Sequence, residues 1–157
     1  MKWAGGKTLG VLATGLVVLV AGCGGGGGAR LTKAAYEQKL SDAGKGLAVA
    51  GRKLAQAQSK EEFKDDVTDV QKALDDAADR LDGITPPDDV EGANARLVQG
   101  LRGLSHDFDK VKDAADESVD DATRKAQEVS TGASSREADN AIKEIQRRGY
   151  DVGQLGS

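Results

Sequence analysis

Few side chains in this 157-residue chain have a type and spacing that could do chemistry, and the single cysteine comes first among them. Cys23 sits in "LVVLVAGCGGGGGARL", directly behind an apolar run and directly before five glycines. A catalytic thiol needs a base beside it, normally His, and the one histidine is the distant His106. His106 falls two residues after Leu104 and two before Phe108. Both belong to an apolar stripe, so the imidazole is expected on the solvent side, without the second His or Cys that a zinc site requires. The acidic runs "DDVTDV", "DDAADRLD", "PPDDVE" and "DAADESVDD" raise the question of calcium. An EF-hand loop needs Gly at its sixth position, where the run beginning at Asp75 has Arg80. With Leu74 and Leu81 on the buried stripe, Asp75, Asp76 and Asp79 read instead as a solvated face. Ser130, Ser134 and Ser135 lie among turn residues, outside the Gly-x-Ser-x-Gly setting of a hydrolase. Gly24 to Gly28 lack the Gly-Lys-Ser/Thr of a phosphate loop, because Ala29-Arg30 follows. The residue types point to no enzyme, no cofactor and no metal site.

The elements that would position these residues are helical. From Thr32 onward apolar residues recur at steps of four and three, and no segment alternates as a strand would. The first stripe is Tyr36, Leu40, Ala43, Leu47, Ala50, Leu54 and Ala57, with Thr32 as its N-cap. Gly44, Gly46 and Gly51 flank it and are expected to admit a neighbouring helix. Ser59 and Glu62 form a capping box before Phe63, Val67, Val70, Leu74, Ala77 and Leu81, with Gly83 as a left-handed stop. "ITPPDDV" is a turn, with Thr85 and Asp88 placed to cap the next helix. That helix carries Val90, Leu97, Leu101, Leu104, Phe108, Val111 and Ala115. The stripe resumes out of step at Val119, Ala122, Ala126 and Val129, a stutter that predicts a bend or break near residues 113 to 118. Ser134 and Glu137 read as a second capping box before a short helix through Arg148. It buries Ala138, Ile142 and Ile145 and ends at Gly149, and Tyr150, Val152 and Leu155 then fold back. Short connections imply antiparallel neighbours. The fold expected over residues 32–157 is all-α: an up-and-down helical bundle of three main helices plus a short C-terminal helix. Gly- and Ala-rich stripes should pack tightly with few cavities. The same stripes admit an inter-chain coiled coil and hence self-association.

The N-terminal 22 residues differ in kind. Their only charges are Lys2 and Lys7, and Leu9 to Ala21 is apolar apart from Gly and Thr. A basic start and a short apolar run read as an export signal, too short to span a bilayer at roughly 20 residues. Without Lys2 and Lys7, 20 basic residues face 26 acidic ones, a balance that gives no footprint for nucleic acid. Leu, Ile, Val and Phe are sparse enough to raise disorder, and the helical periodicity argues against it.

Val20-Ala21-Gly22-Cys23 resembles the lipobox of bacterial lipoproteins: an aliphatic residue, two small residues and a cysteine at the end of the apolar run. The resemblance implies that residues 1–22 are a cleaved signal peptide. It also implies that the Cys23 thiol receives a diacylglyceryl group, with further palmitate-class acylation, and becomes the first mature residue. One acyl chain holds a protein only marginally, at about 0.8 kcal/mol per buried CH₂, whereas two hold it stably. Residues 23–31 then form a lipidated, Gly-rich flexible tether. "ITPPDDVEGANARLVQGLRGLSHDFD" is similar to small helical lipoproteins of high-GC Gram-positive bacteria, a resemblance that brings no activity with it. Together these imply a lipid-anchored protein on the extracytoplasmic face of the cell membrane. Its expected role in the envelope is structural or protein-interacting and non-enzymatic; its expected partners are the membrane and an envelope protein. A small-ligand or metal-binding envelope lipoprotein is the alternative.

Overall fold

The computed structural model describes residues 28–156, and they are helical with no strand among them. The lipobox residues Val20, Ala21, Gly22 and Cys23 lie outside the described residues.

Thr32 opens α1 (Lys33–Leu54), its hydroxyl accepting the Ala35 N–H at 3.3 Å. That satisfies one of the amides a helix start leaves without a partner. Helix α2 (Lys60–Asp82) begins the same way, with Ser59 Oγ accepting the Glu62 N–H at 3.2 Å. The Glu62 carboxylate reaches back to the Gln58 N–H at 3.0 Å, one residue earlier than a standard capping box. All six stripe residues from Phe63 to Leu81 are buried. The end of α2 differs from expectation: Gly83 has φ −75°, not a left-handed value. A left-handed cap exists to satisfy late helix carbonyls, and here the Asn94 amide does so, donating to the Leu81 carbonyl at 3.0 Å.

A 3₁₀ turn at Asp88–Val90 leads into α3 (Glu91–Glu117), and no side chain caps either start. The Asp88 side chain is engaged elsewhere, and Thr85 meets the chain's N-terminal segment through its backbone. The Thr85 carbonyl accepts the Leu31 N–H at 2.8 Å, and Asp88 pairs with Arg30 at 2.7 Å. The predicted break falls at Ser118, which is extended (φ −157°, ψ 159°) and caps α4 (Val119–Ser130) by accepting the Asp121 N–H at 3.0 Å. After Thr131-Gly132 the chain enters α5 (Ala133–Arg147). Because α5 starts at Ala133, Ser134 lies inside its first turn and does not cap it. Its hydroxyl donates instead to Asp107 at 2.8 Å. Gly149, at φ +85°, ends the helix as expected.

Among the described residues the outcome is a helical bundle of five helices rather than three main helices and one short one. Helix α3 has 27 residues, and α4 and α5, with 12 and 15, return along it in succession. Packing follows the chain: α1 on α2, α2 on α3, α3 on α4 and α5. Gln71–Ser105 and Lys64–Asp116 make α2 and α3 antiparallel, as Arg96–Glu144 and Asp107–Ser134 make α3 and α5. One core cluster is centred on Tyr36, Leu40, Leu81, Leu97 and Ile145. A second, at the opposite end, holds Phe63, Val67, Val111, Ala115, Ala122 and Val129.

Two close approaches need glycine. A Cβ on Gly100 would stand 2.6 Å from the Ala138 backbone nitrogen, so α3 and α5 touch there through backbone. A Cβ on Gly44 would stand 2.8 Å from the Leu155 nitrogen. Gly44 therefore admits the short 3₁₀ helix of the C-terminal tail, Gly153–Gly156, and Gly46 and Gly51 face open space. The tail folds back as predicted, with Tyr150 and Val152 buried and Leu155 packed on the core between α1 and α5.

Candidate functional site

The side chains singled out for chemistry do not converge. His106 is exposed, its Nδ1 3.0 Å from Asp109 Oδ2. Bonds from Gln71 and then His106 hold the Asp109 carboxyl below its ordinary range. Asp75, Asp76 and Asp79 are exposed as expected. Arg102 bridges Asp79 and Asp82 at 3.0 Å each, and these bonds raise the guanidinium's pKa. Ser130 Oγ donates to the Gln127 carbonyl at 2.8 Å, a helix-end bond. Among the described residues no three His, Cys, Asp or Glu side chains are grouped to hold a metal ion, and no helix is long and apolar enough to cross a membrane.

Two features of the fold carry more. The first is the bundle end where the described chain begins. Arg30 donates to the Pro86 carbonyl at 2.5 Å and pairs with Asp88 at 2.7 Å and Glu91 at 3.3 Å. Leu31 bonds Thr85 and packs on the core. Contact with the bundle thus begins two residues before the expected boundary at residue 32. Behind this clamp Tyr36 donates to Asn94 Oδ1 at 3.0 Å, and Tyr150 donates to Asp89 at 2.8 Å. The two rings meet edge to face with centroids 5.6 Å apart, and the Lys33 ammonium lies 5.4 Å from the Tyr150 centroid. Burial, followed by the charge of its neighbours, pushes the Tyr36 phenol well above its usual value. Burial and then the bond to Asp89 push Tyr150 up to about 12. Among the described residues no buried side-chain nitrogen or oxygen lacks a partner. Such a satisfied network locks α1, α2, α3 and the tail together, and offers no free group for reaction.

The second feature is a groove between α1 and the α4–α5 pair, which do not pack extensively on each other. The tail fills one end. Beyond it lies a cavity of about 330 Å³ lined by Leu47, Leu74, Leu104, Phe108, Ile142 and Leu155. Farther along the same two walls is a second, of about 440 Å³, lined by Gly51, Leu54, Phe63, Val119 and Ala126. Leu54 lines the second space and Leu104 and Phe108 the first, and all three pack on both core clusters. Both spaces open to solvent, while at Gly100 the small residues bring α3 and α5 into the close backbone approach expected of them. With α5 drawn onto α3 at Gly100 and the tail inserted beside α1, the fourth interface stays apart.

Sequence reasoning passed over Arg30, Asn94 and the groove. Asn94 had a signal: it stands four after Val90 and three before Leu97, a polar residue at a vacant stripe position. Arg30 and the groove depend on residues more than fifty positions apart and leave no local pattern. The chain matches no protein-family model, no curated protein and no solved structure.

Proposed function

We propose that this chain is a lipid-anchored lipoprotein of the bacterial cell envelope, held on the extracytoplasmic face through a diacylglyceryl group on Cys23. Residues 1–22 act as the cleaved signal, with Val20, Ala21 and Gly22 presenting the cleavage site. The bundle, an up-and-down arrangement whose last position is shared by α4 and α5, works by contact rather than by catalysis. The observation that supports this reading is the Arg30 clamp, which fixes the start of the bundle seven residues after Cys23. Seven largely glycine links have a root-mean-square reach of about 15 Å, enough to set that end of the bundle just clear of lipid headgroups. Fractionating cells that express Cys23→Ala tests it. The substituted chain is expected to lose acyl label and stable membrane retention, and a labelled, retained chain would contradict the anchor.

A second reading, a ligand-binding envelope lipoprotein, is favoured by the open apolar groove between α1 and α4–α5. The two readings share the anchor and differ in what the bundle meets.

A further inference from the structure

We infer that α4 is a lid: residues 118–131 lift off the bundle as a unit while α1, α2, α3 and α5 stay assembled. The segment is bounded by extended backbone, at Ser118 (φ −157°, ψ 159°) and at Gly132 (φ −70°, ψ −177°). Just outside these two points the chain is pinned. Lys64 pairs with the Asp116 carboxylate and Lys60 donates to the Asp116 carbonyl, holding the end of α3 to the start of α2. Ser134 donates to Asp107 at 2.8 Å, holding the start of α5 to α3. Two pinned flanks with a break inside each let the piece between them move as one.

Among the described residues, the polar bonds of the segment itself are local. Ser118 accepts the Asp121 N–H, Thr123 donates to the Val119 carbonyl at 2.8 Å, and Thr131 donates to the Gln127 carbonyl at 3.2 Å. Arg124 pairs with Asp121 and Lys125 with Glu128. Each of these bonds stays inside residues 118–131. The other helices are tied across. Lys53 pairs with Asp69 at 2.9 Å between α1 and α2, and Gln71 donates to the Ser105 carbonyl at 3.1 Å between α2 and α3. Arg96 and Glu144 join α3 to α5 at 2.5 Å.

Packing therefore holds α4 down, and there is little of it. Its buried residues are Ala122 and Val129, against Ala138, Ala141, Ile142 and Ile145 in α5. The helix rests on α3, touches α5 only slightly, and meets an open cavity toward α1. No residue of α4 belongs to the core cluster around Leu97 and Ile145, so that cluster survives its departure. Regions with few buried apolar contacts open at free energies below that of global unfolding. Once lifted, α4 is a 12-residue helix without a neighbour, a length at which isolated helices are marginal in water. Opening thus exposes its amides together with Phe63, Val67, Val111 and Ala115 of the second cluster. The lid lies at the end of the bundle away from the Arg30 clamp, and its opening goes beyond the anchored role and requires no lipid on Cys23.

Native-state hydrogen exchange of the full-length chain, read by peptide mass spectrometry at increasing low urea, tests this. Amides of residues 122–130 should be about 100-fold less protected than those of 97–111 and 138–145, with a weaker urea dependence because less surface opens. Ile145→Val loosens only the cluster that stays folded when the lid opens. It should speed exchange in 97–111 and 138–145 severalfold and leave 122–130 unchanged. Val129→Ala weakens the closed lid and should speed 122–130 about tenfold. Equal protection and equal urea dependence in all three regions would overturn the inference, as would Ile145→Val speeding 122–130 along with the rest. Exchange of 122–130 at the rate of an unstructured peptide would overturn it too, because a lid must close.

Discussion

Replacing Gly100 with Ala sets helix propensity against packing, and the structure decides which prevails. In an isolated helix the change is worth about 1 kcal/mol in favour of Ala. In the bundle the new methyl would stand 2.6 Å from the Ala138 nitrogen and 2.9 Å from its Cα, where ordinary contact begins near 3.4 Å. Helix α5 must therefore retreat by about 0.8 Å to carry the 2.6 Å approach out to 3.4 Å, and no flexible side-chain end is there to yield. Overpacking of this kind costs about 1–3 kcal/mol. The retreat also loosens Ala138, Ala141 and Ile145, which are buried against α3. The net expectation is a loss of about 1–2 kcal/mol, which lowers Tm by roughly 3–10 °C in a domain of this size. Gly51→Ala supplies the opposite sign, because its Cβ meets nothing, and it should gain up to about 1 kcal/mol. Urea titrations followed by circular dichroism, with unchanged slopes, measure both. Gly100→Ala at or above the stability of the unsubstituted chain would refute the close α3–α5 approach.

Asn94 and Tyr36 form a coupled pair. Asn94→Leu leaves the Tyr36 hydroxyl and the Leu81 carbonyl without their bonds and should cost about 2–4 kcal/mol. Combining it with Tyr36→Phe should cost clearly less than the two single losses together, as a double-mutant cycle would show; strict additivity would deny the contact. On the alkaline side Tyr36 and Tyr150 stay protonated in the folded chain beyond the point where unfolded tyrosines ionise. Above about pH 10 the unfolded state therefore binds fewer protons. Stability should fall from there through about pH 12, and Tyr150→Phe should flatten the fall in pH-dependent melts. On the acid side Asp107 is held low by Lys110 and then Ser134, and Asp116 by Lys64. The stability these carboxylates supply is complete above the ordinary carboxylate range, and melts should show it lost as pH drops below that range.

What could be read from the residues followed from local regularity. The stripes of α1 and α2, the caps at Thr32 and Ser59, and the stop at Gly149 each need only neighbours within a few positions. The break at Ser118 was legible because two successive steps of four cannot stay on one face. The left-handed Gly83 failed because a side chain from the next helix, Asn94, took over the cap. The box at Ser134 failed because Asp107, 27 residues earlier, drew its hydroxyl away. The open groove was the least legible feature. It arises where two walls do not meet, which depends on how closely α5 approaches α3 and on where the tail lodges.

The most direct test of the account is the intact mass of the chain extracted from its own membranes. The account predicts a polypeptide that begins at Cys23 and carries a diacylglyceryl group there, with Lys2, Lys7 and Trp3 gone. A chain that retains Met1, or one cut elsewhere with an unmodified Cys23 thiol, would contradict it.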